Sequence, residues 1–248
     1  MTGVSKKNWS STYREINRMV GQAIHRYDMI ETGDRIAVGV SGGKDSLALI
    51  WALAERQKRV PVRYDLFAVH VDPGFGGGCS DALATYCTEN GYSLRTVSTD
   101  IGVRAHSLEN RENPCFFCAR LRRKLLFDFA AEMGCNKIAL GHHRDDIIET
   151  FFLNMFYAGE MGTMLPKQSL FSGRVSIIRP FAFVDEDLIR RFGREQDFPQ
   201  WANPCPSAKN SKRYEIKTVL NQLYQGNDKA KGNVFRALSH AKMGYLLK

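Results

Sequence analysis

Short apolar runs alternate with amphipathic stretches between about residues 35 and 180. Four runs have the length of buried strands, and three intervening stretches have the spacing of amphipathic helices. The predicted strands cover residues 35–40, 66–71, 93–97 and 137–140, and the predicted helices cover residues 47–57, 80–90 and 118–133. This alternation predicts an α/β fold, with an open, mostly parallel sheet and helices on both faces.

Both ends of the chain are predicted to be helical. Residues 13–27 carry Ile16, Val20 and Ile24 on one side, so this helix is expected to pack on the sheet. A small helical tail is predicted over residues 185–195, 212–222 and 234–247. Residues 157–174 lack periodicity and predict a long loop. The expected organisation is an N-terminal helix (1–30), an α/β domain (31–180) and a helical C-terminal region (181–248) that supplies Cys205.

Composition limits the functional classes. The 248 residues are 44% hydrophobic and 25% charged, close to the globular average, which argues against disorder. No segment approaches the roughly 20 apolar residues of a membrane span, and the first residues have no signal core, so a cytoplasmic protein without a membrane partner is expected. The 35 Lys and Arg against 26 Asp and Glu leave a charge of +9, which permits a polyanionic partner but also fits an ordinary basic surface.

The strongest local motif lies between the first strand and the first helix and consists of Ser41, Gly42, Gly43, Lys44, Asp45 and Ser46. Two glycines, a helix N-terminus and a lysine are suited to hold phosphate. It is not a Walker loop, because the glycine spacing is too short. The alternative is an ordinary Gly-rich turn. The hexapeptide matches the signature of the PP-loop ATP pyrophosphatase superfamily, and this resemblance implies cleavage of ATP between the α and β phosphates to adenylate a substrate oxygen.

A second motif, GHHRDD at residues 141–146, follows the fourth strand. Open α/β sheets bind ligands at the carboxyl ends of their strands, so Gly141 and Asp146 are candidates for the nucleotide site. Asp145 and Asp146 have the chemistry to hold Mg²⁺, or alternatively to serve as the cap and first turn of a helix beginning near residue 147. At most one of the two histidines is expected to bind an ion. His70, at the end of the second strand, is expected to contact a nucleotide or to pack beneath the loop.

Three of the six cysteines form a candidate metal site. Cys115 and Cys118 make a Cys-x-x-Cys at a helix start, and Cys205 lies in a loop stiffened by two prolines. In a reducing compartment such thiols are metal ligands or redox groups. Three thiolates suit an iron–sulfur cluster with one open iron, whereas structural zinc needs four ligands. A thioredoxin-like redox pair, a zinc site completed by a histidine, and unlinked thiols remain alternatives.

Other reactive candidates are weaker. Cys79 begins a predicted helix, where a thiolate would be stabilised, while Cys87 and Cys135 are predicted to be small buried hydrophobes. The basic run RRK at residues 122–124 lies one turn beyond Cys118. It is expected to steady an adenylated intermediate or an RNA phosphate, or alternatively to form a solvated basic face.

Together the motifs resemble the TtcA family of tRNA 2-thiocytidine synthetases. The resemblance covers about residues 13–206 and rests on SGGKDS, PCFFCARLRRKLL, KIALGHHRDDIIETFFLNMFY, IIRPFAF and a late Pro-Cys, in this order. It implies the adenine nucleotide alpha hydrolase-like fold and the formation of 2-thiocytidine in the anticodon loop of tRNA. The resemblance further implies that ATP and Mg²⁺ are used to adenylate the C2 carbonyl oxygen of the cytidine and that sulfur then replaces this oxygen. It also implies a [4Fe-4S] cluster on Cys115, Cys118 and Cys205, with the free iron for the incoming sulfur.

These expectations define the candidate site. The catalytic candidates are Asp45, Asp146 and Arg122, and the nucleotide-binding candidates are the hexapeptide with His70, Gly141 and Asp146. The expected partners are tRNA and a sulfur-donor system such as a cysteine desulfurase, and a homodimer is a further candidate assembly. The chain departs from the family at Ala208, where a second Cys-x-x-Cys would end, and in a loosely matching tail. The alternatives are another PP-loop adenylating enzyme with a different acceptor, or a non-catalytic, metal-stabilised RNA-binding protein.

Overall fold

The computed structural model describes residues 9–208 and 210–245, and these contain one six-stranded sheet. Its strands are β1 (Asp34–Gly39), β2 (Tyr64–Asp72), β3 (Leu94–Ser98), β4 (Lys137–Ala139), β5 (Lys167–Leu170) and β6 (Val175–Ile178). Their order is β3-β2-β1-β4-β6-β5, and every pairing is parallel except that of β5 with β6. The predicted α/β fold with a mostly parallel sheet is confirmed.

The helices follow the strands in the expected alternation. They are α1 (Ser11–Arg26), α2 (Lys44–Gln57), α3 (Ser80–Glu89), α4 (Ile101–Ala105), α5 (Pro114–Glu132), α6 (Arg144–Leu153), α7 (Glu186–Glu195), α8 (Lys212–Gln225) and α9 (Ala230–Ala237). The side chain of Ser10 caps α1 and that of Asn113 caps α5, whose first residue is a proline. Within the described ranges, we find no helix with the length and apolar character to span a membrane.

The sheet is buried on both faces, and its central strand shows why. Ile36 and Val38 of β1 belong to the larger core, which they share with apolar residues of α1, α2 and α7. Ala37, between them, faces a second core that includes Phe129 of α5. A strand covered on both sides reads as a continuous apolar run rather than an alternating one. The carboxyl end of β1 is therefore held rigidly from both faces.

An antiparallel edge was not expected from the sequence. The predicted loop over residues 157–174 is wrong near its end, because Lys167–Leu170 forms β5. This strand pairs with β6, which the prediction also omitted, and Gln168 lies opposite Ile177. An edge strand of four residues with mostly polar side chains lacks the apolar alternation by which strands are recognised. The five-residue α4 was missed for the same reason of length.

The helix predicted over residues 234–247 is also wrong, since α9 ends at Ala237. The carbonyl oxygen of Arg236 accepts a hydrogen bond from Ser239 Oγ at 3.1 Å and lies 2.8 Å from His240 Nδ1. Side chains thus occupy the acceptor that another helical turn would use. Only a 3₁₀ turn, Met243–Tyr245, follows, and residues 246–248 lie outside the described part.

The chain divides into two compact units. The first comprises the residues up to 143 together with 165–205, and it contains the whole sheet. The second comprises residues 144–164 and those from 206 onward, and its core includes Ile148, Ile216 and Leu220. This division falls at other positions than the boundaries predicted at residues 30 and 180, because α6 groups with the C-terminal helices.

Candidate functional site

The hexapeptide at residues 41–46 joins β1 to α2 and turns its backbone into a helix N-terminus. Gly43 is the N-cap of α2 and Lys44 is its first residue. Ser46 Oγ accepts a hydrogen bond from the amide of Ser41 at 3.1 Å and donates one to the carbonyl of Gly43 at 2.8 Å. These bonds fix the curvature of the loop, so its amides and the helix dipole are preformed for an anion.

Gly42 is the tightest point of this loop. Its φ of +83° lies in the left-handed region. A Cβ atom at this position would lie 2.5 Å from Cys79 Sγ and 3.2 Å from the ring of Trp201. Glycine satisfies both the backbone conformation and the close contact, and other residues would not.

We expect Gly42→Ala to weaken ATP binding at least about tenfold and to destabilise the fold by about 1–3 kcal/mol. The added methyl group must displace Trp201 or Cys79, and the backbone must stay left-handed. Calorimetric ATP binding and urea unfolding measure the two effects. Gly76→Ala is the matched control, because a Cβ atom there meets no heavy atom within 4 Å. Equal effects of the two substitutions would show that the contact at Gly42 is unimportant.

Lys44 and Asp45 form a charged pair at the start of α2. Lys44 Nζ lies 3.1 Å from Asp45 Oδ2 and 3.2 Å from Glu186 Oε1 on α7. The other oxygen, Asp45 Oδ1, is buried and accepts no hydrogen bond from any described residue, while His143 Nε2 lies 3.9 Å away. A buried carboxylate oxygen without a donor fits a hard cation such as Mg²⁺. The chemistry of Asp45 therefore fits the metal that a polyphosphate would carry.

The segment after β4 packs against this pair. A Cβ atom on Gly141 would lie 3.1 Å from the carbonyl group of Asp45, so a side chain there would crowd this approach. His142 Nδ1 accepts a hydrogen bond from Arg179 Nε at 3.1 Å. Since His143 is buried next to Asp45, the two histidines face different neighbours.

A pocket of about 270 Å³ opens beside the loop. Its wall includes the first three residues of the hexapeptide, the connection between β2 and α3, residues 201–204, and Arg122 of α5. Phe75 and Trp201 contribute aromatic surface, and the loop contributes backbone amides. Apolar walls with a few convergent polar groups are typical of small-molecule sites, and this combination suits a base attached to phosphates.

His70 lines the pocket, but both of its ring nitrogens are engaged. Nδ1 lies 2.8 Å from the carbonyl oxygen of Val40, and Nε2 lies 3.1 Å from Ser80 Oγ. Ser80 Oγ in turn donates to Asp72. Burial opposes the ionisation of Asp72, but the hydrogen bonds from Ser80 and the amide of Gly74 outweigh it and lower the pKa of that carboxyl. The geometry favours the packing role for His70.

The three candidate ligand cysteines all belong to the first unit. Cys115 is exposed, and Cys118 and Cys205 are partly buried. Burial raises the pKa of the Cys118 thiol, the hydrogen-bonded Arg122 guanidinium lowers it, and nearby Cys205 and Cys115 raise it. Cys118 therefore lies within electrostatic reach of both other thiols. In the part of the chain that the structure describes, no three His, Cys, Asp or Glu side chains stand close enough to hold a metal ion. The fit to an iron–sulfur cluster therefore rests on the chemistry of the three thiols and not on their spacing.

The pocket and the thiols adjoin. Asn203 and Pro204 line the pocket, and the amide of Cys205 donates to Asn203 Oδ1 at 3.0 Å. Arg122 lines the same pocket and interacts with the Cys118 thiol. By contrast, Lys124 pairs with Asp128 at 2.6 Å on an exposed face, as the alternative of a solvated basic run expects.

The stabilised thiolate expected at Cys79 is wrong. Cys79 lies at the pocket as the N-cap of α3, but burial raises the pKa of its thiol. Cys87 and Cys135 are buried, and their prediction as small hydrophobes is confirmed.

Asp145 and Asp146 lie in the second unit, in the first turn of α6. This helix begins at Arg144, so the expectation of a start near residue 147 with Asp145 as the cap is wrong. Asp145 forms an ion pair with Lys231, and Asp146 Oδ1 lies 3.4 Å from Arg213 Nη1. Both carboxylates therefore have basic partners within their own unit.

Glu149, one turn further along α6, is buried, and its pKa is strongly perturbed. Burial raises the pKa from 4.5 to about 7, Asp146 adds to the rise, and Lys217 and Arg213 oppose it. Because the folded state keeps a proton that the unfolded state has lost, stability falls as the pH rises from about 4.5 through about 7.

We expect Glu149→Gln to remove most of this loss of stability, on the order of 2 kcal/mol, because an amide does not ionise. Urea unfolding on both sides of the window, at acidic and mildly alkaline pH, measures it. Glu215→Gln is the control, since that exposed carboxyl on α8 has a lowered pKa, caused by hydrogen bonds from Lys212 and Tyr157. A Glu149→Gln protein with the wild-type pH dependence would rule out this carboxyl as the cause.

The pocket or loop residues that the sequence analysis missed include Asp72, Phe75, Glu186 and Trp201. Asp72 ends β2, so the rule that ligands bind at carboxyl ends of parallel strands would have found it. Phe75 follows the same strand. Glu186 and Trp201 carry no local motif, because only the folded chain brings them to the loop.

Both the sequence and the fold are similar to those of known proteins. The sequence model of a family described as a PP-loop domain matches residues 11–223. Curated relatives include the tRNA-cytidine(32) 2-sulfurtransferases of Syntrophotalea carbinolica, 39% identical over 95% of this chain and 92% of the relative, and of Geobacter sulfurreducens, 39% identical over 95% and 93%.

Two solved structures are also similar. The U34-tRNA thiolase NcsA from Methanococcus maripaludis, with its [4Fe-4S] cluster, has a TM-score of 0.78 and 26% identity, covering 95% of this chain and 80% of that chain. The NH3-dependent NAD synthetase from Campylobacter jejuni has a TM-score of 0.53 and 14% identity over 94% of each chain, a likeness of fold alone.

Proposed function

The chain belongs to the PP-loop family and, within it, to the tRNA-cytidine(32) 2-sulfurtransferases, and from this premise we propose that it replaces the C2 oxygen of a tRNA cytidine with sulfur at the expense of ATP. The proposed target is the cytidine at position 32, in the anticodon loop, which is the position given in the names of the relatives. The enzyme is thus a tRNA sulfurtransferase that converts ATP to AMP and pyrophosphate.

One observation carries the proposal. Arg122 lines the pocket beside the phosphate loop, and its positive charge opposes the rise that burial causes in the pKa of the Cys118 thiol. A nucleotide in this pocket and sulfur chemistry at the thiols would therefore share one cation. An enzyme that activates a substrate with ATP and then delivers sulfur to it needs these two functions side by side.

The reaction has two steps. The C2 carbonyl oxygen of the cytidine attacks the α-phosphorus of ATP, and pyrophosphate leaves. Sulfur at the sulfide level (HS⁻) then forms a bond to C2 and loses its proton, and AMP departs with the original oxygen as the C2–O bond breaks. We assign the pyrophosphate to the loop amides and Lys44, whose charges oppose the negative charge that develops on the leaving group. Arg122 steadies the adenylated base.

The cofactors are assigned to this chain's own donors. Asp45, with its buried and unsatisfied oxygen, would hold a Mg²⁺ ion, which neutralises phosphate charge. Asp146 remains a candidate for the same role. Cys115, Cys118 and Cys205 would hold the [4Fe-4S] cluster, which would supply iron to bind the incoming sulfur. A cysteine desulfurase or similar system is the proposed sulfur donor, and the proposed setting is a homodimer in the cytoplasm.

The test is mass spectrometry of tRNA nucleosides from a bacterial strain that lacks 2-thiocytidine, with and without this gene. Restored 2-thiocytidine from the intact gene, and none from a Cys115→Ala variant, is the expected result. A protein that is expressed and holds iron but restores nothing would refute cytidine as the acceptor, and another PP-loop adenylation would then replace the proposal. Absence of ATP turnover to AMP would favour a non-catalytic RNA-binding protein.

A further inference from the structure

Positive charge is concentrated in the last part of the chain. Residues 206–248 contain nine Lys and Arg against two acids, an excess of seven out of the chain's nine. The other 205 residues are therefore nearly neutral. This segment belongs to the second unit, whose other residues, 144–164, carry one arginine against four acids, so the positive charge of that unit lies in its C-terminal helices α8 and α9 and their flanking residues.

Part of this positive charge is neutralised by ion pairs within the second unit. Lys231 pairs with Asp145, Arg213 pairs with Asp146, and Lys212 pairs with Glu215. Such pairs contribute little to the attraction of a further anion. The residues that matter for a polyanion are the basic side chains that remain.

Lys229, Arg236 and Lys242 are exposed, and within the described residues no acidic side chain lies at ion-pair distance from any of them. Lys229 is the N-cap of α9, and Arg236 lies in its last turn. A separation of seven residues is two helical turns. Lys229 and Arg236 therefore start from the same face of the helix, about 10 Å apart along its axis.

The same face of α9 is polar along its length. Asn233, between the two cations, is exposed, and Gly232 has open space where a side chain would lie. The opposite face carries Val234 and Phe235, which pack against the core of the second unit. The exposed face thus offers positive charge, an amide and a place for close backbone approach, without an apolar patch for a protein partner.

We propose that the face of α9 formed by Lys229, Asn233 and Arg236 binds the phosphate backbone of tRNA. This rests on the proposed function, which supplies tRNA as the polyanion. Two lysine or arginine side chains spaced along one helix face contact phosphates without reading bases, so they give affinity and orientation rather than sequence choice.

The experiment measures binding of an unmodified tRNA transcript by fluorescence anisotropy over about 50 to 200 mM salt. Lys229→Ala/Arg236→Ala should weaken binding about tenfold or more at 0.1 M salt. It should also lower the slope of log K against log salt by about 1.4 to 1.8, since each lost phosphate contact removes about 0.7 to 0.9. Lys229→Arg/Arg236→Lys, which keeps both charges, should stay within about twofold of the wild type.

Arg14→Ala/Arg18→Ala is the matched control. It removes two exposed cations from one face of α1 in the first unit and lowers the net charge by the same amount. Equal weakening by both alanine pairs, or no weakening by the α9 pair, would overturn the inference and leave the proposed function standing. A wild-type protein that does not bind tRNA would overturn both. Binding that depends on α9 without any thiolation would overturn the proposed function alone.

Discussion

Cys205→Ala is expected to lose the iron–sulfur cluster, and with it tRNA thiolation, while the protein still folds. Three thiols leave no spare ligand, so removing one leaves two, which is too few for a stable [4Fe-4S] centre. Cys205 is only partly buried and lies in an irregular segment. The hydrogen bond from its backbone amide to Asn203 does not depend on the thiol. The substitution should therefore change the free energy of unfolding by less than about 1 kcal/mol.

Iron and acid-labile sulfide after anaerobic reconstitution measure this result, together with 2-thiocytidine formation. Cys135→Ala is the control, and it is expected to lower the stability without changing the iron content. Cys135 is buried against Phe129 and Ile138, so its loss should cost about 1 kcal/mol of stability and leave the iron content unchanged. Wild-type iron in Cys205→Ala would refute the assignment of this ligand.

Lys44→Ala should reduce ATP conversion to AMP and pyrophosphate by at least about 100-fold, because it removes the full positive charge closest to the loop amides. The fold should tolerate the change. Of the two carboxylates that Lys44 leaves behind, Glu186 keeps an ion pair with Arg190 at 3.2 Å, and the side chain of Asp45 is 31% exposed and so keeps access to water.

Pyrophosphate release and calorimetric ATP binding measure this second effect. Lys58→Ala is the matched control, since Lys58 is the C-cap of the same helix and pairs on the surface with Glu55. Its activity should remain within about twofold of the wild type, because surface pairs contribute at most about 1 kcal/mol. If Lys44→Ala binds and turns over ATP normally, the hexapeptide is an ordinary strand-to-helix turn.

The sequence predicted the centre of the fold better than its edges. β1 and β2 are continuous apolar runs because both faces of the sheet are covered, and the covering helices α2 and α5 are long enough to show their spacing. β5 has mostly polar side chains, so it lacks the apolar run that marks even the three-residue β4. The end of α9 depends on the side chains of Ser239 and His240 competing for one carbonyl, and apolar spacing does not encode that competition.

Residues of the candidate site were likewise predicted where a local motif marks them and missed where only folding brings them together. The hexapeptide and the Cys-x-x-Cys are local, so their residues were predicted by number. Glu186 lies 142 residues from Lys44 along the chain, and no pattern connects the two. At the start of α6, the cap expected at Asp145 is wrong and the first-turn position expected for Asp146 is confirmed, because the helix begins at Arg144. The ligand set and the metal assignment remain predictions for the experiments above.

The contact of Trp201 with Gly42 has a mechanical consequence. Trp201 and Cys205 are four residues apart, so the chain between them spans at most about 14 Å even when fully extended. The thiol of Cys205 therefore stays near the indole ring that closes the phosphate loop. A change at Gly42 that displaces this ring is expected to alter the position of Cys205 as well.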